Sequence, residues 1–273
     1  MLSTSTQLLR LSQGHLNLLA ACPRKFQHTY LEQITTPSDP QQEEYQTLGS
    51  RFHLLMQQQE MGLPINSFLE RDKEDEKFKT LKTWMTAFSK VAPEILTPEI
   101  NNQTFRDSEH YRTLQVQDYL LTVIYDLLIA DNEKAQIYDW KTNHKLPKKD
   151  ELAKNWQTRL YLYVLAETSD YLPENISMTY WFIQAQGKPQ NIRFNYDNQQ
   201  HQQTEKDLNQ LLNYLNDWLQ KYQQNQPFPQ IAEFKKSCEL CQYAVRCERQ
   251  KDNQTEIITN SLPTFENIQE ISI

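Results

Sequence analysis

Glycine is nearly missing from this chain, with 4 in 273 residues. Loops that cradle a nucleotide's phosphates need clustered glycines, so the scarcity argues against a P-loop ATPase or a dinucleotide enzyme. No apolar run is long enough to cross a bilayer. Met1 to Arg10 also lacks the basic start, apolar stretch and small-residue cleavage site of a secretory signal. The expectation is a soluble, cytoplasmic protein with no membrane partner. An excess of cations is missing as well: 28 Lys and Arg stand against 35 Asp and Glu, a net charge of −7. That argues against a uniformly basic coat for nucleic acid, although a local basic patch is enough to hold phosphates. Cysteine is sparse, with only Cys22, Cys238, Cys241 and Cys247. Disulfides do not persist in a reducing cytoplasm, so metal or cluster binding is their leading reading.

What is present supports a packed core. Hydrophobic residues make up 38% of the chain, and its length suits one large domain or a domain with elaborations. Ser12 can cap a helix through Leu16, Leu19 and Ala20, before Pro23 breaks or restarts it. Leu48, Phe52, Leu55 and Met56 mark a second helix over about 41–61. The mixed-charge run from Arg71 to Lys79 reads as a solvated helix face, with Trp84 and Phe88 burying the other side. Strands are expected over about 111–116 and 119–130, joined by a turn at Gln117 and Asp118. A third covers about 134–140, after a turn at Asp131 and Asn132. A helix over about 150–168, strands near 176–184 and 190–195, and a Gln-rich helix over about 199–223 follow. The order helix, three strands, helix, strand implies an α/β fold with a mixed central sheet flanked by helices. Residues 253–273 read as a polar, flexible tail.

Three residues on two neighbouring strands carry chemistry. Asp126 lies within the second strand, and Asp139 and Lys141 lie at the end of the third. Period-two geometry puts Asp139 and Lys141 on one face, and a short turn lets Asp126 approach it. Two carboxylates beside a lysine suit a hard divalent cation and a phosphate. The cation offsets phosphodiester charge and activates water, and the lysine stabilises charge developing on the phosphate. A strand-end acid beside an ordinary surface ion pair would leave the same spacing.

The stretch Thr122 to Thr142 resembles the metal-binding core of the RecB-like branch of PD-(D/E)XK nucleases. In that branch an acid on one strand is followed by Asp-x-Lys-Thr on the next. The resemblance implies a restriction-endonuclease-like αβββαβ core. It also implies Asp126 and Asp139 as ligands of Mg²⁺ or Mn²⁺, and Lys141 as the catalytic lysine. Tyr125 replaces the proline of the class name, and Val123 and Leu127 replace a frequent glycine and arginine. Gln157-x3-Tyr161 resembles the branch's Gln-x3-Tyr motif, which implies that both residues contact substrate. Gly49-Ser50-Arg51-Phe52-His53 resembles its first motif, which implies His53 as a further metal ligand.

Cys238-x2-Cys241-x5-Cys247 with the remote Cys22 resembles the pattern of AddB-type helicase–nuclease subunits and of CRISPR-adaptation exonucleases. Four thiolates there hold a [4Fe–4S] cluster. Cys22-Pro23-Arg24-Lys25-Phe26 resembles the N-terminal cysteine segment of the same proteins. The resemblance implies a helical iron–sulfur lobe that joins the two ends of the chain. Zn²⁺ is the alternative, since thiolate sites accept either metal.

Basic residues gather near these motifs. Lys141, Lys145, Lys148, Lys149, Lys154 and Arg159 follow the third strand, and Arg24, Lys25, Lys235, Lys236, Arg246 and Arg249 flank the cysteines. Such a patch can hold a DNA backbone without reading sequence. Tyr138, Trp140 and Trp181 can stack on a displaced base or pack in the core. Residues 1–252 are therefore expected to form one nuclease domain. It would hydrolyse DNA phosphodiesters at single strands or ends, in DNA repair, recombination or foreign-DNA processing. A catalytically silent DNA-binding subunit of a repair complex would share the fold. Without a helicase motif, unwinding would fall to a partner.

Overall fold

The computed structural model describes residues 8–35, 40–65, 76–96, 104–232 and 236–249. Residues 71–75 of the expected charged run, Lys235 and the tail from 253 lie outside them. Six strands form one mixed sheet: β1 (Leu9–Leu11), β2 (Phe105–Val116), β3 (Tyr119–Ala130), β4 (Ala135–Lys141), β5 (Ile176–Phe182) and β6 (Gln190–Asn195). Asp118 and Gln117 turn the chain between β2 and β3, with Gln117 at φ 54°. The two strands then pair antiparallel from Val116–Tyr119 to Phe105–Ala130.

The other edge of β3 is divided. Its start, Tyr119 to Leu121, pairs parallel with β1, and its end, Leu127 to Ala130, pairs antiparallel with β4. Between these stretches β3 and β4 splay apart, and Asp126 stands at the fork. The next pair, β4 with β5, is parallel. A parallel pair needs a long crossover. Helices α6 (Lys149–Lys154) and α7 (Trp156–Glu167) supply it.

Each sheet face buries its own core. On one face Tyr119, Leu121, Val123 and Tyr125 of β3 pack with Leu160 and Val164 of α7, Leu16 and Leu19 of α1 (Gln13–Ala21), and Leu208 and Leu212 of α8 (Asn198–Gln223). On the other, Leu127, Trp140 and Trp181 pack against Phe52 and Leu55 of α3 (Pro40–Glu60), Trp84 and Phe88 of α4 (Glu76–Val91) and Ile95 of the short α5 (Pro93–Leu96). The side-chain alternation of β3 therefore changes phase beside Asp126. Odd residues up to Tyr125 face the first core, whereas Leu127 faces the second and Leu128 the first.

Trp140 and Trp181 are 2% and 5% exposed, so both are core residues and are closed to base stacking. The sequence reading missed β1, whose three residues are too few to show a period. It began the first long strand at 111, whereas β2 begins at Phe105. Residues Arg106 to His110 are polar, so no hydrophobic alternation announces them.

The first and last described segments of the chain meet. After Cys22 comes α2 (Pro23–Phe26), from which Arg24 donates Nε–H to the Phe228 carbonyl at 2.6 Å. The Gln27 side-chain carbonyl accepts from the Phe228 backbone N–H at 2.6 Å. Near the C-terminus, Tyr243 donates its hydroxyl to the Ile34 carbonyl at 2.8 Å. Helix α3 also sits close to the end of β4: a Cβ on Gly49 would lie 2.9 Å from Thr142 Oγ1. Gly49→Ala must therefore shift Thr142 or the helix, a strain of about 1–3 kcal/mol set against roughly 0.5–1 kcal/mol of helix propensity gained. We expect a melting temperature lower by several degrees; a thermal melt matching wild type would mean that Thr142 rotates away freely.

Candidate active site

The fork between β3 and β4 gathers the charged residues. Asp126 Oδ2 accepts the backbone N–H of Trp140 at 2.6 Å, in place of the strand pairing lost there. Its Oδ1 lies 3.3 Å from His53 Nδ1, brought in by α3. His53 Nε2 is 3.1 Å from the Trp140 carbonyl oxygen, an acceptor, so Nε2 is the donor. A neutral ring then turns the Nδ1 lone pair toward a carboxylate. Only a proton or a cation reconciles those two acceptors. Burial by itself would lower the His53 pKa, but the hydrogen bond and charge of Asp126, with Asp139 adding, raise it overall.

Asp139 sits on the α7 face of β4 and is 2% exposed. Its Oδ2 accepts from Gln157 Nε2 at 2.5 Å, and its Oδ1 is 2.5 Å from Lys141 Nζ. The Lys141 ammonium therefore partners the buried Oδ1 as a charge-assisted ion pair. Burial pushes the Asp139 pKa up to about 6; Lys141 pulls it down and Asp126 pushes it further up. The Lys141 ammonium also lies 5.5 Å from the centre of the Tyr180 ring.

Gln157 and Tyr161 both lie on α7. Gln157 holds Asp139, while Tyr161 is 5% exposed and its carbonyl accepts the Tyr125 hydroxyl at 3.0 Å. Tyr125, at the position of the class-name proline, thus ties β3 to α7. Burial, with the charges of Asp139 and Asp126 adding, raises the Tyr161 pKa far enough to keep its phenol protonated.

One acid of the site was not legible in the sequence. Glu109 of β2 stands across from Asp126, between the pairs Ser108–Leu127 and His110–Tyr125. Its φ of 53° is left-handed, a conformation that costs a non-glycine residue about 1–3 kcal/mol. Ligand atoms of His53, Glu109 and Asp126 all lie within 4.8 Å of one another, and Asp139 is outside that group. Burial, then the Asp126 charge, raises the Glu109 pKa. No motif flagged it; the one available signal was a pair of acids, Asp107 and Glu109, within a polar strand edge.

The expected basic patch is partly spent on structure. Arg159 pairs with Asp207 at 2.6 Å and lies over the Trp156 ring, and Lys149 lies over Phe194. Arg249 donates to Gln230 and to the Ile231 carbonyl. Cys22, Cys238, Cys241 and Cys247 all line one small cavity of about 30 Å³, with Lys25 and Arg249 at its wall. No three of their sulfur atoms lie within 4.8 Å of one another. Burial raises the Cys247 thiol pKa, Arg24 opposes it, and Cys22 and Cys241 add to it.

The donor set fits a hard divalent ion. Carboxylates and one imidazole converge, and the imidazole lone pair faces a carboxylate. Comparison with solved structures finds a candidate exonuclease from Eubacterium rectale, at a TM-score of 0.52 and 11% identity, covering 93% of this chain and 94% of that one. The structure of SSO0001 matches at a TM-score of 0.36 and 12% identity, covering 90% and 89%. No curated protein matches. The family model of the PD-(D/E)XK nuclease superfamily matches residues 10–248. With its mixed sheet, and with Asp126, Asp139 and Lys141 gathered where β3 and β4 part, the chain belongs to the PD-(D/E)XK nuclease superfamily.

Proposed function

We propose that this protein is a divalent-metal-dependent deoxyribonuclease that hydrolyses phosphodiester bonds at single strands or DNA ends. The observation that carries the reading is the pairing of Lys141 with a buried carboxylate beside the Asp126–His53 pair. Asp126, Asp139 and His53 would hold Mg²⁺ or Mn²⁺. The ion supplies charge neutralisation and a more acidic bound water. Lys141 stabilises charge on the scissile phosphate, and its pairing with Asp139 fixes its head group before substrate arrives. Gln157 orients Asp139. The partner is DNA, in repair, recombination or foreign-DNA processing, with a helicase or repair-complex subunit supplying any unwinding. The test is cleavage of end-labelled single- and double-stranded DNA with Mg²⁺ or Mn²⁺. Shortening that a chelator stops is expected; intact DNA in both metals would sink the proposal.

The metal reading predicts a pH dependence. Asp139 and His53 both have raised pKa values, so the folded protein holds protons that the unfolded chain releases earlier. The metal-free protein therefore loses stability as pH rises through those folded-state values. A cation binds the deprotonated groups and reverses the loss. The rise in melting temperature given by Mn²⁺ should be full near about pH 7.5 and largely gone by about pH 5. An equal rise at both values would mean that the ion binds elsewhere.

The four cysteines are read as ligands of a [4Fe–4S] cluster. The support is that Cys22 and the three C-terminal cysteines line one cavity, and Zn²⁺ is the alternative occupant.

A further inference from the structure

We propose that the cavity between α7, α8 and the end of β6 binds one nucleoside monophosphate, apart from the fork that holds Asp126 and Asp139. The walls of the cavity argue the ligand class. The inference rests on the nuclease reading only for the source of the nucleotide, as a product of cleavage.

The cavity measures about 370 Å³. Small-molecule sites span about 300–1,000 Å³, so it stands at the small end, with room for a nucleotide rather than a strand. Thr158, Arg159 and Leu162 of α7 line it, whereas their neighbour Gln157 turns to Asp139. Leu162, Phe194 and Tyr196 are buried and give it an apolar floor. Water gains little from such a floor, and a flat heteroaromatic ring gains by covering it. Amides stand beside the floor: Asn195 at the end of β6, and Gln199, Gln200 and Gln203 of α8. Each amide carries donors and an acceptor, the groups that match the edge of a nucleobase.

Two cations border the same space. Arg159 is fixed in place. Its Nη2 donates to Asp207 Oδ2 at 2.6 Å and to the Gln203 carbonyl at 3.3 Å, and its guanidinium lies 4.6 Å from the centre of the Trp156 ring. Its Nε and Nη1 make no hydrogen bond among the described residues. A guanidinium held at one nitrogen, with the others open, is preorganised for a phosphate. Asp207 is the one acid on the described wall, and Arg159 and Gln203 occupy both of its oxygens. Lys154, at the end of α6, is exposed and has no ion-pair partner among the described residues. Its charge is therefore left for an anion. Floor, amides and cations correspond to the face of a base, its edge and a phosphate. A purely apolar ligand would leave the amides and cations unused, and phosphate alone would leave the floor bare.

The test measures binding without turnover. The full chain would be titrated with dAMP in a calorimeter, with a chelator present so that no cation ties phosphate to the fork. One saturable site per chain is expected. Ala153→Trp sets an indole on the wall from an exposed helix position and should remove that site. Lys154→Glu should weaken it by about tenfold or more, the effect of losing one charged contact. Both variants should melt as wild type does, because both positions are exposed. Deoxyadenosine and inorganic phosphate each fill only part of the cavity, and each should bind about tenfold or more weakly than dAMP. A dinucleotide should compete as poorly. No saturable dAMP site on wild type, or undiminished binding by both variants, would overturn the pocket. Phosphate binding as tightly as dAMP would overturn the base slot, and a dinucleotide competing as well as dAMP would overturn a free nucleotide as the occupant. A chain that binds dAMP yet leaves DNA intact keeps the pocket and defeats the nuclease reading. Cleavage without dAMP binding does the reverse.

Discussion

Asp126→Asn is expected to slow DNA cleavage by roughly a thousandfold, while the metal-free protein melts within a few degrees of wild type. Asparagine has nearly the same shape, and its side-chain carbonyl can still accept the Trp140 N–H that closes the fork. The fold therefore keeps its link between β3 and β4. What disappears is the charge facing His53. Cation affinity falls with it, and so does the neutralisation that lets water approach a phosphodiester. Single-turnover cleavage at saturating Mn²⁺ separates these effects from DNA binding. A variant within tenfold of wild type would remove Asp126 from the metal site. A variant that fails to fold would move its role to the fork, in which case His53→Ala, which spares the Trp140 N–H bond, should still lose Mn²⁺ affinity.

Much of this centre could be read from the chain because its parts are local. Asp139 and Lys141 are two apart on one strand, and Gln157 and Tyr161 are four apart on one helix, so periodicity alone puts each pair on one face. The turns at Gln117–Asp118 and Asp131–Asn132 gave β2, β3 and β4 their order. What stayed hidden depends on register and on the point where pairing stops. Nothing in Tyr-Leu-Leu-Thr-Val-Ile-Tyr-Asp-Leu-Leu says that β3 parts from β4 at Asp126 or that its alternation changes phase there. Glu109 was hidden for the same reason. Its place opposite Asp126 follows from a long-range pairing, and its backbone conformation is one that glutamate does not favour. Gln157 was expected to meet substrate; in the folded chain its amide meets Asp139. A helix face can be inferred from spacing, but its partner depends on how α7 crosses the sheet. The basic residues teach the converse. Arg159 and Lys149 are near the motifs in sequence, yet one is tied to Asp207 and both lie over aromatic rings.

Cys22→Ser is expected to abolish visible-range absorbance of the proposed cluster and to lower the melting temperature by about 10 °C, from a loss of a few kcal/mol. The three C-terminal cysteines supply three thiolates, and the chain has only one more to give. Cys22 lies between α1 and α2, where the chain is extended at φ −162°, and it lines the same cavity as the other three. Closing so long a loop costs little more than closing a medium one, because the entropy grows with the logarithm of length. Much of that cost is already met by protein contacts. Arg24 and Gln27 bind the backbone at Phe228, the rings of Phe26 and Phe228 stack 6.2 Å apart, and Tyr243 reaches back to Ile34. Removing one thiolate should therefore loosen the two ends without unfolding the sheet. Burial first, and then the neighbouring Cys22 and Cys241, raise the Cys247 thiol pKa against the pull of Arg24. Iron and sulfide should be assayed after anaerobic purification, alongside Cys241→Ser. Full iron content and an unchanged melt in Cys22→Ser would remove it from the ligand set. Zinc in place of iron under strictly anaerobic handling would keep the junction of the two ends but end the cluster assignment. Because Asp126, Asp139 and Lys141 lie on the sheet rather than among the cysteines, cleavage by Cys22→Ser at low temperature should persist, and its loss on warming should track the melt.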